Sequence, residues 1–477
     1  MTEEKNNLPQ LPKAWVWTRL GEICDLVNGR AFKPSEWSSE GLPIIRIQNL
    51  NDVNADFNYC NFEVEDKYVV TDGQLLFAWS GTPGTSFGAH IWNRGKAFLN
   101  QHIFKVEIDG NCIDKIFLMH LLNHNVAEYI NKAHGTAGLA HITKGKFENS
   151  LISLPPFKEQ CRIALKIEEL FTNLDAGVKG LRKVKTQLKR YRQAVLKYAF
   201  EGKLTEEWRK THKDQIEPAQ KLLERIKEER KRGLGERYKE LPPCDTSDMS
   251  VLPEGWVWTL LGEMISFEYG KGLVGEKRDP RGKVPVYGSN GIVGHHSVPL
   301  VDKPCIIVGR KGAIGSVHLS KVPCWPIDTT YYITPPEGVD LRFLSYLLST
   351  LGLVSLDRST AIPGLNRNDA YAIRIPLVPF SEQQQMVEEI EHRLSLVEEV
   401  EKALDQSMRQ SESLRQSILK RAFEGKLVSQ DPTDEPAEKL LERIKEEKAK
   451  RRTQGNTEKK NKKESSLRQR ELTCYVE

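Results

Sequence analysis

The sequence lacks the patterns by which most metalloproteins, membrane proteins and secreted proteins are recognised. Its 477 residues include eight cysteines, but no two form a CxxC pair and none lies at zinc-finger spacing from a histidine. No apolar run approaches the roughly 20 residues that cross a bilayer, and no basic-then-apolar signal pattern opens the chain. We therefore expect a cytoplasmic protein with reduced cysteines and no metal site.

Catalytic motifs are also scarce. Gly270–Gly275 matches the letters GxGxxG without a βαβ context, and no P-loop pattern occurs. Leu154–Phe157 resembles the proline loop of amino-methyltransferases but lacks its amide or carboxylate, so it is better explained as a strand-to-helix corner. Glu201-x-Lys203 resembles the end of a nuclease signature without a partner aspartate. No Ser/His/Asp or Cys/His set has a plausible spacing, and the chain is predicted to be non-catalytic.

What the chain does have is a duplicated frame. Three segments recur, WVWT at 15–18 and 256–259, PFxEQ at 156–160 and 379–383, and AFEGKL at 199–204 and 422–427. The first pair is shifted by 241 residues and the other two by 223, so the insert within the frame is 18 residues shorter in the second half. A period above 200 residues indicates two domains rather than a solenoid.

Charge gives only weak information about a partner. The net charge is +5, but residues 445–470 alone hold eleven Lys/Arg and four Asp/Glu. The rest of the chain is therefore close to neutral, and any nucleic-acid surface on it must be local. The tail itself is explained either as a solvated, partly disordered end or as a segment with non-specific attraction for phosphate.

The apolar pattern predicts a mixed α/β (α+β) fold. Residues 1–10 look disordered, short strands alternate with turns in the first insert, and a helix covers 113–130. The second insert is more strand-rich, with a helix near 341–353. The predicted division is 11–155 and 251–378 for the two inserts, 156–205 and 379–430 for two long helices, 206–250 for a charged helix and linker, and 431–477 for a charged helix and basic tail.

The two long helices carry heptads. In the first, one seam is predicted at Ile167, Leu174, Leu181, Leu188 and Val195, interleaved with Ile163, Leu170, Gly177, Val184, Tyr191 and Tyr198. In the second, the predicted seam includes Met386, Ile390, Val397, Val400, Leu404, Leu414 and Ile418, with Ser407 and Ser411 as weak positions. Each helix packs either on its own insert or on the other helix. The repeat favours antiparallel pairing about a pseudo-two-fold axis, with the inserts at opposite ends.

Both inserts contain a glycine turn after an apolar strand, at 75–84 and at 306–315. Such turns allow close approach to a ligand, and residues suited to base edges and phosphates lie near them in the sequence. The candidates are Arg46, Gln48, Asn49, Ser80 and Arg94 in the first insert, and Lys271, Lys277, Arg278, Ser289, Asn290, Arg310 and Lys311 in the second. The hypothesis rests on the set, since any single member is more often an ordinary surface residue.

The order of these segments around two unlike inserts resembles the specificity subunit of Type I restriction–modification enzymes. The resemblance covers about residues 11–450 and includes a fourth repeated segment, KLLERIKEE at 221–229 and 439–447. It implies two target-recognition domains, each reading one half of a bipartite, asymmetric double-stranded DNA site. It also implies that the two long helices are spacers on which two modification subunits dock.

The same resemblance places all chemistry in partner subunits. The modification subunits would bind S-adenosylmethionine and methylate adenine, and restriction subunits would join them and use ATP and Mg²⁺. This chain would then hold no cofactor of its own. The alternatives are a stand-alone nuclease or methyltransferase with two recognition domains, which needs a catalytic set that is not seen, and a coiled-coil scaffold that binds only protein.

Overall fold

The computed structural model describes residues 9–81, 87–132, 140–238, 240–356 and 364–450. The predictions made for residues 1–8 and for the tail from 451 onward lie outside these described residues. The chain divides into two compact units, unit 1 with residues 1–180 and 407–477, and unit 2 with residues 181–406. In the described part, no helix is long and apolar enough to cross a membrane.

Unit 1 is a mixed domain of short strands and helices. Its strands are β1 (Val16–Arg19), β2 (Cys24–Asn28), β3 (Leu42–Ile45), β4 (Asn58–Cys60), β5 (Val69–Val70), β6 (Gln74–Ala78), β7 (Ser80–Gly81), β8 (Gly88–Trp92), β9 (Ala97–Leu99), β10 (Ile103–Ile108), β11 (Ala140–His141) and β12 (Leu151–Leu154). Its helices are α1 (Leu20–Ile23), α2 (Ile47–Asn51), α3 (Lys115–His124), α4 (Val126–Lys132), α5 (Lys144–Glu148) and the first part of α6 (Phe157–Phe200). A second stretch of unit 1 adds a helix at residues 437–450.

Unit 2 repeats this mixture. Its strands are β13 (Val257–Leu260), β14 (Glu268–Tyr269), β15 (Val284–Gly288), β16 (Gly291–His296), β17 (Cys305–Gly309), β18 (Val317–Ser320), β19 (Trp325–Pro326), β20 (Thr330–Ile333) and β21 (Arg374–Leu377). Its helices are α7 (Glu206–Thr211), α8 (Ala219–Leu234), α9 (Leu261–Met264), α10 (Leu341–Thr350), α11 (Arg367–Tyr371) and the first part of α12 (Phe380–Phe423). The predicted α/β fold and the two long helices are confirmed.

The main sheets of the two inserts share one topology although the sequences differ. The main sheet of unit 1 has the order β2-β10-β6-β8 and that of unit 2 has the order β14-β20-β17-β18. Every neighbouring pair in both sheets is antiparallel. In each unit the WVWT strand also pairs with the strand before the PFxEQ corner, β1 with β12 and β13 with β21. The remaining sheets differ, with the order β4-β3-β9-β5 and a β11-β7 pair in unit 1 and the order β16-β15-β19 in unit 2, so the inserts share a main sheet but not every strand.

The repeated motifs hold each insert to its long helix. Gln160 Oε1 accepts a hydrogen bond from Asp114 N, and Gln383 Oε1 accepts one from Asp340 N, both at 2.9 Å. Each aspartate caps the helix that follows it, α3 or α10. All four residues of the two Glu-Gln pairs are buried. The corner therefore has a structural role, because its polar groups are buried and hydrogen-bonded within the fold. The absence of an amide or carboxylate at position 154 agrees with this.

The long helices are antiparallel within unit 2. Lys185 Nζ lies 2.6 Å from Asp405 Oδ1, and Arg192 lies 4.0 Å from Glu398 Oε1. Seven residues forward along α6 therefore correspond to seven residues backward along α12. In unit 1, Arg415 of α12 pairs with Asp175 of α6, and its guanidinium stacks on Phe171. The end of α12 continues into the core of unit 1, where Phe423 packs against Phe117.

The predicted seam of α6 is half right. Ile167 and Val195 are buried, and Leu174, Leu181 and Leu188 are half-buried. The interleaved positions are wrong beyond Ile163 and Leu170, since Val184, Tyr191 and Tyr198 are exposed. Beyond Leu170, the residues that face inward lie one position later, at Val178, Lys185, Arg192 and Ala199, which are half-buried or buried. Phe171 is half-buried beside Leu170. The seam was assigned by apolar residue type, which overlooks Lys and Arg. These side chains can bury their alkyl stems between the helices while their charged groups pair at the edge.

The same correction applies to α12. Ile390, Val397, Leu404 and Ile418 are buried as predicted, but Val400 and Leu414 are 44% and 50% exposed. Glu401 and Arg415 stand at the neighbouring positions that face α6, through their ion pairs with Arg192 and Asp175. Leu414 therefore does not belong to the helix–helix seam.

Val397 and Val400 provide a matched test of this correction. We expect Val397→Ala to lower the free energy of unfolding by about 2 kcal/mol, since two methyl groups are lost and a cavity remains. Val400→Ala makes the same chemical change at an exposed site and should leave stability within about 0.5 kcal/mol of the parent. Urea unfolding followed by circular dichroism measures both. Equal losses of unfolding free energy in the two variants would contradict the assignment of Val397, and not Val400, to the seam.

Candidate nucleic-acid interface

In unit 2, a tight turn follows β17. Gly315 N donates to Gly309 O at 2.9 Å, which closes the turn, and Gly312 and Gly315 have φ of +79° and +70°. Arg310 N and Lys311 N both donate to Thr329 O, at 2.9 and 3.1 Å. The turn predicted from the glycines is therefore present, and main-chain bonds hold it against the loop before β20.

Other predicted residues join this turn. Lys271 N donates to Pro326 O at 3.0 Å, beside the same loop. Ser289 O accepts from Ser316 Oγ and lies 3.0 Å from His318 Nε2. Asn290 is exposed in the adjoining turn between β15 and β16. We call this group the unit 2 loop cluster, and its members from the prediction are Lys271, Ser289, Asn290, Arg310 and Lys311.

Two predicted residues lie outside the cluster, along β16. Arg278 NH1 donates to Val293 O at 2.8 Å and its Nε donates to Leu273 O at 3.2 Å. These bonds fasten the loop before β15, so the guanidinium already has a structural role. Lys277 is exposed beside it.

Sequence reasoning missed two members of the unit 2 loop cluster. The guanidinium carbon of Arg310 lies 5.4 Å from the ring centre of Tyr269, and that of Arg367 lies 5.2 Å from the same ring. Tyr269 is half-exposed and Arg367 is exposed at the start of α11. Burial raises the pKa of the adjacent Tyr331 to about 12, so its hydroxyl remains neutral. Tyr269 and Arg367 therefore complete a cationic, aromatic surface.

Unit 1 builds the same frame with other side chains. Trp79 N donates to His102 O and Trp79 O accepts from Ile142 N, at 3.2 and 3.3 Å. In unit 2, Arg310 N donates to Thr329 O and Arg310 O accepts from Leu365 N, both at 2.9 Å. Trp79 and Arg310 are therefore equivalent positions after the third strand of equivalent sheets.

A glycine before the cluster is also shared. A Cβ on Gly29 would lie 2.0 Å from Asn100 O, and a Cβ on Gly270 would lie 2.1 Å from Ile327 O. Arg30 and Lys271 follow these glycines and donate from their backbone N atoms to equivalent carbonyls, Leu99 O and Pro326 O. Both pairs are 241 residues apart, the shift of the WVWT segments, so extending that repeat would have identified Arg30.

The unit 1 loop cluster is aromatic rather than cationic. The rings of Trp79, His102 and His141 lie 5.5 to 6.4 Å apart, centre to centre. Ser80 Oγ, a predicted residue, lies 2.6 Å from His141 Nδ1. Burial lowers the pKa of His102, and the charges of His141 and Arg46 lower it further, which favours the neutral ring near pH 7. Arg30 is neutralised by its ion pair with Glu36.

The remaining unit 1 candidates mainly hold a loop together. Asn49 is 3% exposed, and its Nδ2 donates to Ala55 O and Asp56 O at 3.1 and 3.0 Å. Arg94 donates to Asn49 O and Val53 O, both at 2.9 Å. Polar atoms of Asn49 and Arg94 are thus already bonded within the loop, and their predicted contact with DNA stays a prediction. Gln48 is exposed and Arg46 is half-buried against Trp37.

Within the described ranges, no group of three or more His, Cys, Asp or Glu side chains has the geometry of a metal site. The seven cysteines of this part are free, and the closest pair, Cys305 and Cys324, has its sulfurs 3.4 Å apart. The two clusters present hydrogen-bonding groups, aromatic rings and, in unit 2, positive charges.

Comparison with known proteins supports the sequence resemblance. A family model for the Type I restriction modification DNA specificity domain matches residues 12–184 and 253–406. The chain is 27% identical to the Type I restriction enzyme EcoBI specificity subunit of Escherichia coli, over 93% of this chain and 94% of that one. It is 24% identical to the MjaVIII specificity subunit of Methanocaldococcus jannaschii, over 88% and 94%.

Solved structures agree on the fold. A chain from a type I R-M system superposes with a TM-score of 0.66 at 18% identity, covering 88% of this chain and all of that one. The HsdS subunit from Thermoanaerobacter tengcongensis superposes with a TM-score of 0.52 at 19% identity, covering 88% and 99%. With two matched domains that span more than half of its length, the chain belongs to the family of Type I restriction–modification DNA specificity proteins.

Proposed function

We propose that this chain directs a Type I restriction–modification enzyme to a bipartite, asymmetric DNA site, with one half-site read by each loop cluster. The supporting observation is the equivalence of the two clusters. Equivalent main-chain bonds hold Trp79 in unit 1 and Arg310 in unit 2, while the side chains around them differ in charge and aromatic content. One frame with two sets of side chains fits two unlike half-sites, since base edges in the major groove are distinguished by their donors and acceptors.

A domain exchange tests this function. The chain is co-expressed with its modification subunit in a host that lacks other adenine methylation, and methylated adenines are mapped by single-molecule sequencing. Replacing residues 252–378 with the corresponding insert of a relative should change one half of the methylated sequence only. Unchanged halves, or the absence of any bipartite sequence in the parent, would refute the proposal.

Partner subunits are part of the proposal. We infer that modification subunits dock on the long helices, bind S-adenosylmethionine and methylate adenine, and that restriction subunits supply ATP- and Mg²⁺-dependent cleavage. Val184, Tyr191 and Tyr198 of unit 2 support a docking surface, because they repeat every seven residues on α6 and are 38% to 51% exposed. Apolar side chains in such a row suit a protein partner, where tyrosine is enriched.

Tyr191→Ser combined with Tyr198→Ser should weaken binding of the modification subunit by at least about tenfold, which corresponds to roughly 1.4 kcal/mol. The thermal midpoint of the isolated chain should stay within a few degrees, since both side chains are exposed. Lys189→Ser, an exposed change elsewhere on α6, is the control for titrations followed by size-exclusion chromatography and light scattering. Full-strength binding by the double variant would exclude this surface.

A further inference from the structure

We propose that Arg367 reads a guanine in the half-site of unit 2, positioned by the ring of Tyr269, against which Arg310 also lies. This inference rests on the proposed function and assigns a base to a residue outside the predicted set. The three side chains come from β14, the turn after β17 and the start of α11, so only the fold brings them together.

The hydrogen-bonding capacity of the two arginines differs. Arg310 Nε and NH2 both donate to Asp328 O, at 3.2 and 2.6 Å. Its guanidinium is therefore fixed against the loop, with the Nε/NH2 edge already occupied and fewer of its five N–H donors open to a ligand. Arg367 is exposed, and its guanidinium has no hydrogen-bond partner in the described part of the chain, while the Tyr269 ring supports it at 5.2 Å. Among the described residues, the N–H donors of Arg367 are therefore free, and the Tyr269 ring fixes the orientation of its guanidinium.

The surrounding charges indicate an anionic or acceptor-rich ligand. In the described residues of unit 2, some of the other arginines face carboxylates, as in the pairs Arg192–Glu401, Arg209–Glu382, Arg342–Glu391 and Arg374–Asp248. Arg367, Arg310, Lys271 and Lys311 form no ion pair within the same described part. Placing unpaired cations together is unfavourable unless a ligand of opposite polarity occupies the space.

Guanine fits the Arg367 fork better than the other bases do. In the major groove guanine presents two acceptors, O6 and N7, which match the parallel donors of an arginine. A planar guanidinium stacked on an aromatic ring keeps that fork pre-oriented. Phosphate also accepts a bidentate arginine, but phosphate contacts carry no sequence information, so the two ligands are distinguishable by experiment.

The equivalent position in unit 1 lacks this property. Lys144 starts α5 there, as Arg367 starts α11, and Ile142 and Leu365 precede them by two residues with equivalent backbone bonds. Lys144 Nζ donates to Leu26 O at 2.7 Å and lies 3.6 Å from Glu148 Oε1. Its charge is therefore engaged inside unit 1. We expect the arginine-read guanine in the unit 2 half-site alone.

The test uses the full chain assembled with its modification subunits and a pool of DNA duplexes with randomised bases. Bound duplexes are sequenced, and the domain exchange described above identifies which half-site belongs to unit 2. The parent should select at least one guanine there. Both Arg367→Lys and Arg367→Gln should reduce the preference for that guanine roughly 5- to 150-fold, while selection of the other half-site stays unchanged and confirms folding.

Sequence preference separates base reading from phosphate binding. If Arg367 only contacted phosphate, Arg367→Gln would weaken binding about equally for all sequences and lower the salt slope by about one, with the guanine preference retained. Base reading predicts loss of that preference instead, and Arg367→Lys, which keeps the charge, should keep the parental salt slope. Lys321→Gln, an exposed cation that follows β18, beside the end of β17 that lies away from the turn, is the control. A unit 2 half-site without guanine, or guanine preference retained in both Arg367 variants, would overturn the inference while leaving the proposed function intact. A parent that selects no bipartite sequence would refute the proposed function itself.

Discussion

Arg209→Ala is expected to lower the free energy of unfolding of unit 2 by about 3–5 kcal/mol, the usual effect of breaking a buried ion pair. Glu382 is fully buried and accepts hydrogen bonds from Arg209 Nε and NH2 at 2.9 and 2.7 Å. Thr205 Oγ1 and Trp256 Nε1 also donate to this carboxylate, at 2.6 and 2.8 Å. Without Arg209 the carboxylate loses its only counter-charge among the described residues. Denaturant unfolding followed by tryptophan fluorescence measures the loss.

Two further variants make this result specific. Arg225 pairs with Glu217 through two bonds of 2.8 Å in solvent, so Arg225→Ala should change the unfolding midpoint little. Adding Glu382→Gln to Arg209→Ala should restore part of the stability, because the buried charge is removed together with its partner. If Arg209→Ala and Arg225→Ala have the same effect, the buried network does not stabilise unit 2.

In unit 1 the buried glutamate of the corner has a different hydrogen-bond partner. Glu159 occupies the corner position of Glu382, but Gln430 Nε2 donates to it at 2.6 Å where unit 2 has an arginine. Burial raises the pKa of Glu159, and the hydrogen bond from Gln430 offsets this only in part. The same motif letters therefore give two electrostatic environments, depending on residues more than 170 positions away in the sequence.

Gly270→Ala is expected to destabilise unit 2 by about 1–3 kcal/mol, as overpacking does, and to disrupt DNA reading by its loop cluster. The new Cβ would lie 2.1 Å from Ile327 O and 2.6 Å from Pro326 O. Both oxygens belong to backbone, so the strand and the loop must separate. The lost base contacts should reduce discrimination at the unit 2 half-site by about 1–3 kcal/mol per contact. Selection from the randomised duplex pool measures this.

Gly275→Ala is the matched control, because a Cβ on Gly275 meets no atom within 4 Å. It should leave stability and sequence preference unchanged. The half-site of unit 1 should be selected normally by both variants. A Gly270→Ala protein with parental stability and parental preference would show that the backbone can separate at no cost, contrary to the close contact.

The sequence predicted the fold more completely than the helix seam. Repeats, turn residues and apolar runs predicted the mixed α/β inserts and placed the start of each long helix within a few residues, since these signals are local. The seam was assigned one residue off at Tyr191 because it was chosen by apolar character. Arg192 occupies the seam through its pair with Glu401, and such a partner on another helix is invisible to a single-helix pattern.

The candidate site was predicted in part for a similar reason. Lys271, Arg310 and Lys311 flank glycines that the sequence displays, and they do meet in the unit 2 loop cluster. Tyr269 directly precedes Gly270, one of the repeated glycines, but a tyrosine does not itself indicate a turn. Arg367 follows α10 and an intervening segment in the sequence, and no local pattern connects it to the turn after β17. Conversely, the sequence suggested Asn49 as a base-contacting residue, but its own loop buries it.

The nesting of the two units has a consequence for synthesis on the ribosome. Unit 2 is one continuous stretch, 181–406, whereas unit 1 needs residues from 407 onward to complete its core, including Phe423, Ala437 and Leu440. The half that is translated first therefore finishes folding last. Until residues 407–450 have left the ribosome, the apolar side chains of unit 1 that pack on them stay exposed, and such surface favours aggregation.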